Sequence, residues 1–240
     1  MVAISVLFAV SCVAPKGSQR ISPNDLPALY NSAVADAAYP EKDEVYKGLV
    51  SISPDNKDLT WKTIKGEQYV LMVSWKSDRT YYVNDPKKGT YNTKKWPIWV
   101  TAAPQLLNRM KQEKAADVNL RLEQLLGLPP TNTYKWFVEF WVKPADLFRP
   151  CPDKEINDTQ CDWCGYGDTT SAHAKWMNKT RADRYYACDL YKKYPWTQLG
   201  YTYDWNAGNK SHVGLSEFVI KPFREVVIEK IYATEDYLKQ

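Results

Sequence analysis

The residue pattern predicts an α+β fold: a mostly antiparallel sheet with two central helices and a disulfide-rich loop and helix insert. Three observations carry that prediction. Strand-like runs with period-two alternation occupy both halves of the 240-residue chain. Two stretches with apolar residues at helical spacing lie between them. Four of the five cysteines fall within residues 150–190. Strands, then helices, then strands with an insert is the order of an α+β domain rather than of βαβ repeats.

The elements follow in order. Residues 1–24 read as an export signal and flexible tether, and residues 25–240 as one globular domain. Asp25–Pro40 places Leu26, Leu29, Tyr30, Val34 and Ala37 at helical spacing and stops at proline. Glu44–Pro54 reads as a strand anchored by Val45, Leu49 and Ile52. Tyr69–Lys76 is a dense apolar run bounded by charge, hence a buried strand. Pro97–Ala103 is another, with its proline at the first position, where no ladder donor is needed. Pro104 then opens a helix whose face is Leu106, Leu107 and Met110. Asp117 caps a second with Leu120, Leu122, Leu125 and Leu126, closed by Gly127 and Pro129-Pro130.

The run from about Thr131 to Pro144 is the longest strand signal. Tyr134, Trp136, Val138, Phe140 and Val142 form an apolar face for the core. Lys135, Phe137, Glu139, Trp141 and Lys143 form a mixed face, expected to be partly solvated. Residues 171–193 have helical spacing through Ala172, Trp176, Met177, Ala182, Tyr185 and Tyr186. Thr197–Trp205 and His212–Pro222 read as an antiparallel pair around the Asn206–Ser211 turn. Arg224–Tyr232 closes as a strand, and a helical turn ends the chain.

Composition narrows function. The chain has 32 basic and 28 acidic residues, a formal net charge of +4 and no long basic run, which argues against a nucleic-acid partner. Ten Trp and 17 Tyr are an excess suited to half-buried sheets and to surfaces that hold sugars or peptides. No GxSxG, HExxH, Walker-type or GxGxxG motif is present, and no cofactor is implied.

The N-terminus bears on compartment. Val2–Val10 is an apolar run too short to span a bilayer but long enough for the h-region of an export signal. Ala9-Val10-Ser11-Cys12 follows, and this tetrad resembles the lipobox of bacterial lipoproteins, although Ala9 stands where leucine is commoner and no Lys or Arg precedes the run. The resemblance covers about a dozen residues. It implies cleavage before Cys12, a diacylglycerol on its thiol and tethering in the cell envelope. Four cysteines then remain, Cys151, Cys161, Cys164 and Cys188, an even set that an oxidising compartment pairs as two disulfides, with three connectivities open. The competing use is zinc on Cys161-x-x-Cys164 with Cys151, Cys188 or His173. Such sites usually take two short-spaced couples, and only one is present. Asp153, Glu155, Asp158, Asp162 and Asp168 make the insert acidic, but not at EF-hand spacing.

Three functions compete. The first is an envelope lipoprotein that binds a ligand or partner, with Trp163 and Trp196 as the aromatic contacts and a carbohydrate or peptide as ligand. The second is an exported hydrolase in which Asp204 or Glu217 orients His212. The third is a structural envelope protein. If Tyr201, Tyr203 and Trp205 face inward, the alternation turns Asp204 outward.

Overall fold

The computed structural model describes residues 22, 24–83, 89–163, 169–185 and 194–240. Cys12, Cys164, Cys188 and Asp168 lie outside them. Among the described residues the fold is α+β, with six helices and a main antiparallel sheet of eight strands. The strands of that sheet are β1 (Trp61–Ile64), β2 (Glu67–Lys76), β3 (Thr90–Asn92), β4 (Ile98–Ala102), β5 (Trp136–Val142), β6 (Leu147–Phe148), β9 (Phe218–Ile220) and β10 (Glu225–Ala233), ordered β3-β10-β5-β2-β4-β9-β6 with β1 beside the start of β2. A separate ribbon pairs β7 (Tyr201–Tyr203) with β8 (Val213–Ser216). The helices are α1 (Leu26–Asp36), α2 (Thr80–Val83), α3 (Ala103–Glu113), α4 (Val118–Leu125), α5 (Ala172–Arg184) and α6 (Thr234–Tyr237).

Capping chemistry sets the helix starts. Asp25, Asp117 and Ser171 each accept a main-chain N–H from three residues on, at Ala28, Leu120 and Ala174, which satisfies a donor that the first helical turn leaves without a partner. Lys65 and Gly66 both have positive φ and form the two-residue loop of the β1–β2 hairpin. The stretch Glu44–Pro54 is extended but is not a strand. Leu49 and Ile52 instead donate their N–H groups to Thr159 and Ile156 of the insert, so side-chain alternation there reflects burial against a loop.

Both faces of β5 are buried, which corrects the expected solvated face. Val138, Phe140 and Val142 join a cluster with Val70 and Met72 of β2, Val100 of β4, Phe218 of β9 and Val226 of β10. Phe137 belongs to a second cluster, in which α3, α4 and α6 cover the opposite face through Leu106, Leu122 and Tyr237. Glu139 lies on that face, only 5% exposed. Burial, with Glu229 adding like charge, raises its pKa to about 7.

The insert is fastened at its start. Cys151 and Cys161 form a disulfide. Arg149, fully buried, pairs with Asp158 and donates to the carbonyls of Val50, Asp158 and Gln160. Among the described residues no helix is long and apolar enough to cross a membrane.

Candidate functional site

The ladder between β2 and β4 has two paired positions, Met72 with Ala102 and Val73 with Thr101. Beyond them Ser74 Oγ donates to the Trp99 carbonyl at 2.8 Å, and the strands no longer pair. A cavity of about 280 Å3 occupies this parting, on the helix-covered face. Its walls come from the end of β2, the start of β4, the exit of α4, the last residue of α5 and the segment Tyr194–Trp196.

The lining is aromatic with a few charges. Trp75 stacks on Tyr134 at 5.2 Å and donates its Nε1–H to Thr234. Trp99, Trp176 and Trp196 form a triad with centroids 5.9–6.1 Å apart. Trp196 is pinned twice: its Nε1–H donates to the Pro150 carbonyl, and the Tyr185 hydroxyl bonds both its N–H and its carbonyl. The Arg184 guanidinium lies 4.7 Å from the Trp99 ring and 5.8 and 5.9 Å from those of Tyr194 and Trp196. Such a cation is held over π-faces, and among the described residues it makes no ion pair within 4 Å, Glu217 being the acid on which its charge acts.

Glu217 is the acid of this cavity, and the fold explains its position. β8 pairs with β7 in the ribbon, β9 pairs with β4 and β6 in the main sheet, and Glu217 is the one residue between them. Its N–H donates to the Gly200 carbonyl. Among the described residues no side chain hydrogen-bonds its carboxylate. Desolvation raises its pKa to about 8, against a smaller opposing pull from Arg184. Lys76, also in the lining, is lowered by desolvation to about 8. A neutral acid, an amine near its titration point and a fixed guanidinium thus converge on one aromatic hollow, the arrangement expected of a small-molecule site.

The residues singled out from sequence are distributed differently. His212 stacks on Tyr203 at 4.8 Å, and its Nδ1 lies 3.3 Å from the Asp204 main-chain carbonyl. The Asp204 carboxylate does not orient that ring, and it does not point outward. It is fully buried and receives both terminal nitrogens of Arg121 at 2.8 and 2.7 Å, with further donors from Asn206 and Asn209. Glu113 closes the network by accepting from Arg121 and Arg109. Tyr201, Tyr203 and Trp205 are all buried, and so are Thr202 and Asp204, because α4 covers one side of β7 and α1 the other. Trp163 is 40% exposed, as loop chemistry suggests. Trp196 is 2% exposed: it is no solvent platform, and its contribution is to the cavity wall.

The metal alternatives fare poorly. Cys151, Asp153 and Cys161 converge within 4.8 Å, but the two sulfurs are bonded to each other and offer no thiolate. Asp158 is taken by Arg149. His173 Nε2 lies 2.7 Å from the Cys151 carbonyl, inside a stack with Phe148 and Trp176, and burial lowers its pKa.

Sequence reasoning reached Glu217 and Trp196 but missed Lys76, Trp99, Tyr134, Arg184 and Tyr194. One signal was available: Glu217 is the one charged residue from His212 to Ile220, directly before the apolar Phe218-Val219-Ile220, and a lone acid there is either an error in the ladder or a functional group. Comparison with family models, with curated proteins and with solved structures returns no match.

Proposed function

We propose that the protein is a ligand-binding protein of the cell envelope and that the cavity beneath Trp99 and Trp196 is its site. The ligand class is a carbohydrate of one or two rings. The observation that carries this reading is Glu217, whose carboxylate has no side-chain hydrogen bond among the described residues, set in one cavity lining with Trp75, Trp99, Trp196 and Tyr134. Flat π-faces offer large contact area to a sugar ring at little entropic cost. A protonated Glu217 donates one hydrogen bond and accepts another, and Arg184 donates several, which matches the hydroxyls of a sugar. The cavity volume, about 280 Å3, sits at the small end of ligand pockets.

The envelope location is part of the same proposal. Cys12 would carry the lipid, and the Cys151–Cys161 disulfide is compatible with an oxidising space outside the cytoplasm. The hydrolase reading loses support for both orienting groups: the Asp204 carboxylate is committed to Arg121, and among the described residues the His212 ring meets the Asp204 carbonyl and Tyr203 rather than Glu217.

Titration calorimetry and Trp fluorescence against a panel of mono- and disaccharides test the proposal. A binder should lose about tenfold or more in affinity on Trp99→Ala and on Glu217→Ala. The proposal fails when no saccharide binds at millimolar concentration, or when binding survives both substitutions.

A further inference from the structure

Two loops run side by side across one end of the main sheet, the first of them ending at Pro97 on the cavity wall. One joins β3 to β4 (residues 93–97), the other joins β9 to β10 (residues 221–224). They are stitched through Thr93, whose N–H donates to the Arg224 carbonyl at 2.9 Å and whose hydroxyl bonds the Lys221 carbonyl and the Arg224 N–H. Phe223 donates its N–H to the Lys94 carbonyl. From this base two large aromatics project into solvent: Trp96 is 65% exposed and Phe223 68%.

Both side chains stand mostly in solvent on a base fixed by main-chain hydrogen bonds. Phe223 has φ +59° and Lys94 φ +48°. A bulky L-residue in that region is strained, and such strain persists only where surrounding bonds over-determine it. Pro97 follows Trp96 and Pro222 precedes Phe223, which narrows the backbone freedom of both tips.

The charge around the tips has one sign. The two loops carry Lys94, Lys95, Lys221 and Arg224 and no acidic residue. Lys95 Nζ stands 4.9 Å from the Trp96 ring centroid. Arg224 pairs with Asp146 at 2.9 Å. Lys221 donates its Nζ to the Ala145 carbonyl at 2.6 Å, and desolvation lowers its pKa, with Asp146 pulling the other way.

We propose that this end of the molecule docks onto an anionic lipid surface, with Trp96 and Phe223 entering the headgroup boundary and the lysines contacting lipid phosphates. Aromatics favour that boundary because their apolar body and polar edge match it, and long cationic side chains reach back to the phosphates. Charge complementarity selects the occupant: a surface of negative charge meets two loops whose charged side chains are all cationic, with Asp146 offsetting Arg224 at their base. The inference does not depend on the cavity or on its ligand.

The test uses the full chain carrying Cys12→Ser, so that no acyl chain contributes. Sedimentation is measured with phosphatidylcholine vesicles, with and without phosphatidylglycerol. The protein should sediment with the anionic vesicles, less so with neutral ones, and release as salt is raised. Lys94→Gln with Lys95→Gln should weaken partitioning about twenty-five-fold, since each lysine near an anionic surface contributes roughly a factor of five. Trp96→Ser with Phe223→Ser should lower it at least tenfold and remove the blue shift of Trp emission. Both double variants change solvent-facing side chains, and unchanged melting temperatures establish that they fold. Absence of sedimentation by the Cys12→Ser chain overturns the proposal, as does equal sedimentation by all variants. A concentration-dependent dimer that either double variant dissociates, with no vesicle binding, would assign the tip to a second copy instead.

Discussion

Glu217→Gln isolates the energetic cost of the acid in the cavity. Burial raises the folded-state pKa to about 8 from the ordinary glutamate value of 4.5. Between those values the unfolded chain has released the proton and the folded chain keeps it. Stability therefore falls as pH rises through this window, by about 1.36 kcal/mol per pH unit, and levels off above pH 8. The full window of about 3.5 pH units corresponds to an upper bound near 5 kcal/mol. Glu217 is half-buried, and water entering the cavity mouth screens it, so about 2–4 kcal/mol is the working figure. Glutamine has the same shape and never ionises. At pH 5 parent and variant should melt within a degree or two of each other. At pH 9 the variant should be more stable by that amount, about 5–10 °C for a chain of this size. Thermal unfolding followed by circular dichroism at both pH values reads the difference. A melting offset that is the same at pH 5 and pH 9 would show that the carboxyl is not desolvated and would remove the physical basis for its role in the site.

Three further outcomes follow from the packing. Asp204→Ala should cost about 3–5 kcal/mol in urea denaturation, because it strands the buried Arg121 charge; a cost below 1 kcal/mol would mean that Glu113 alone suffices. Cys151→Ser should cost about 3 kcal/mol, the value for closing a ten-residue loop, and non-reducing peptide maps should return the Cys151–Cys161 pair; a free Cys161 thiol in the parent protein would contradict it. Val138→Asp should destabilise by several kcal/mol while Glu139→Val is neutral or stabilising above pH 7, since burial and Glu229 disfavour the Glu139 charge; equal loss for both, measured by the same denaturation, would refute the assigned environments.

Much of the fold was legible because its signals are local. The Asp117 cap, the Gly127 stop and the alternation from Trp136 to Val142 are each set by a few adjacent residues, and the elements form where those signals lie. Burial of the second face of β5 was not legible, since period-two alternation reports the contrast between faces and not what covers the poorer one. Glu139 looks like a solvent-side residue until the helices that cover Phe137 on the same face are laid over it, and Trp141 until Lys62 and Glu229 close over its ring. Glu44–Pro54 failed in the opposite sense: apolar alternation was present, but its hydrogen bonds go to the insert loop rather than to a strand.

The site was partly legible for a related reason. Asp204 and His212 are close in the hairpin, as their register implies, yet proximity of main chains does not assign a side chain. Arg121 lies 83 residues from Asp204 in sequence, and no local pattern announces that its guanidinium reaches that carboxylate first. Once it does, the imidazole is left with a main-chain carbonyl and a tyrosine ring, a structural setting. Glu217 is the converse case. It too reads as a polar interruption near a turn, but the chain changes sheets at that residue, so its side chain enters the gap where β2 and β4 part. Both acids lie on the same predicted hairpin. One is neutralised by a distant arginine and holds the fold together; the other, among the described residues, has no hydrogen bond to its carboxylate and shares a cavity lining with Trp99, Trp196 and Arg184. Which acid could serve a ligand was therefore decided by long-range pairing, the one kind of information that strand periodicity and turn chemistry do not carry.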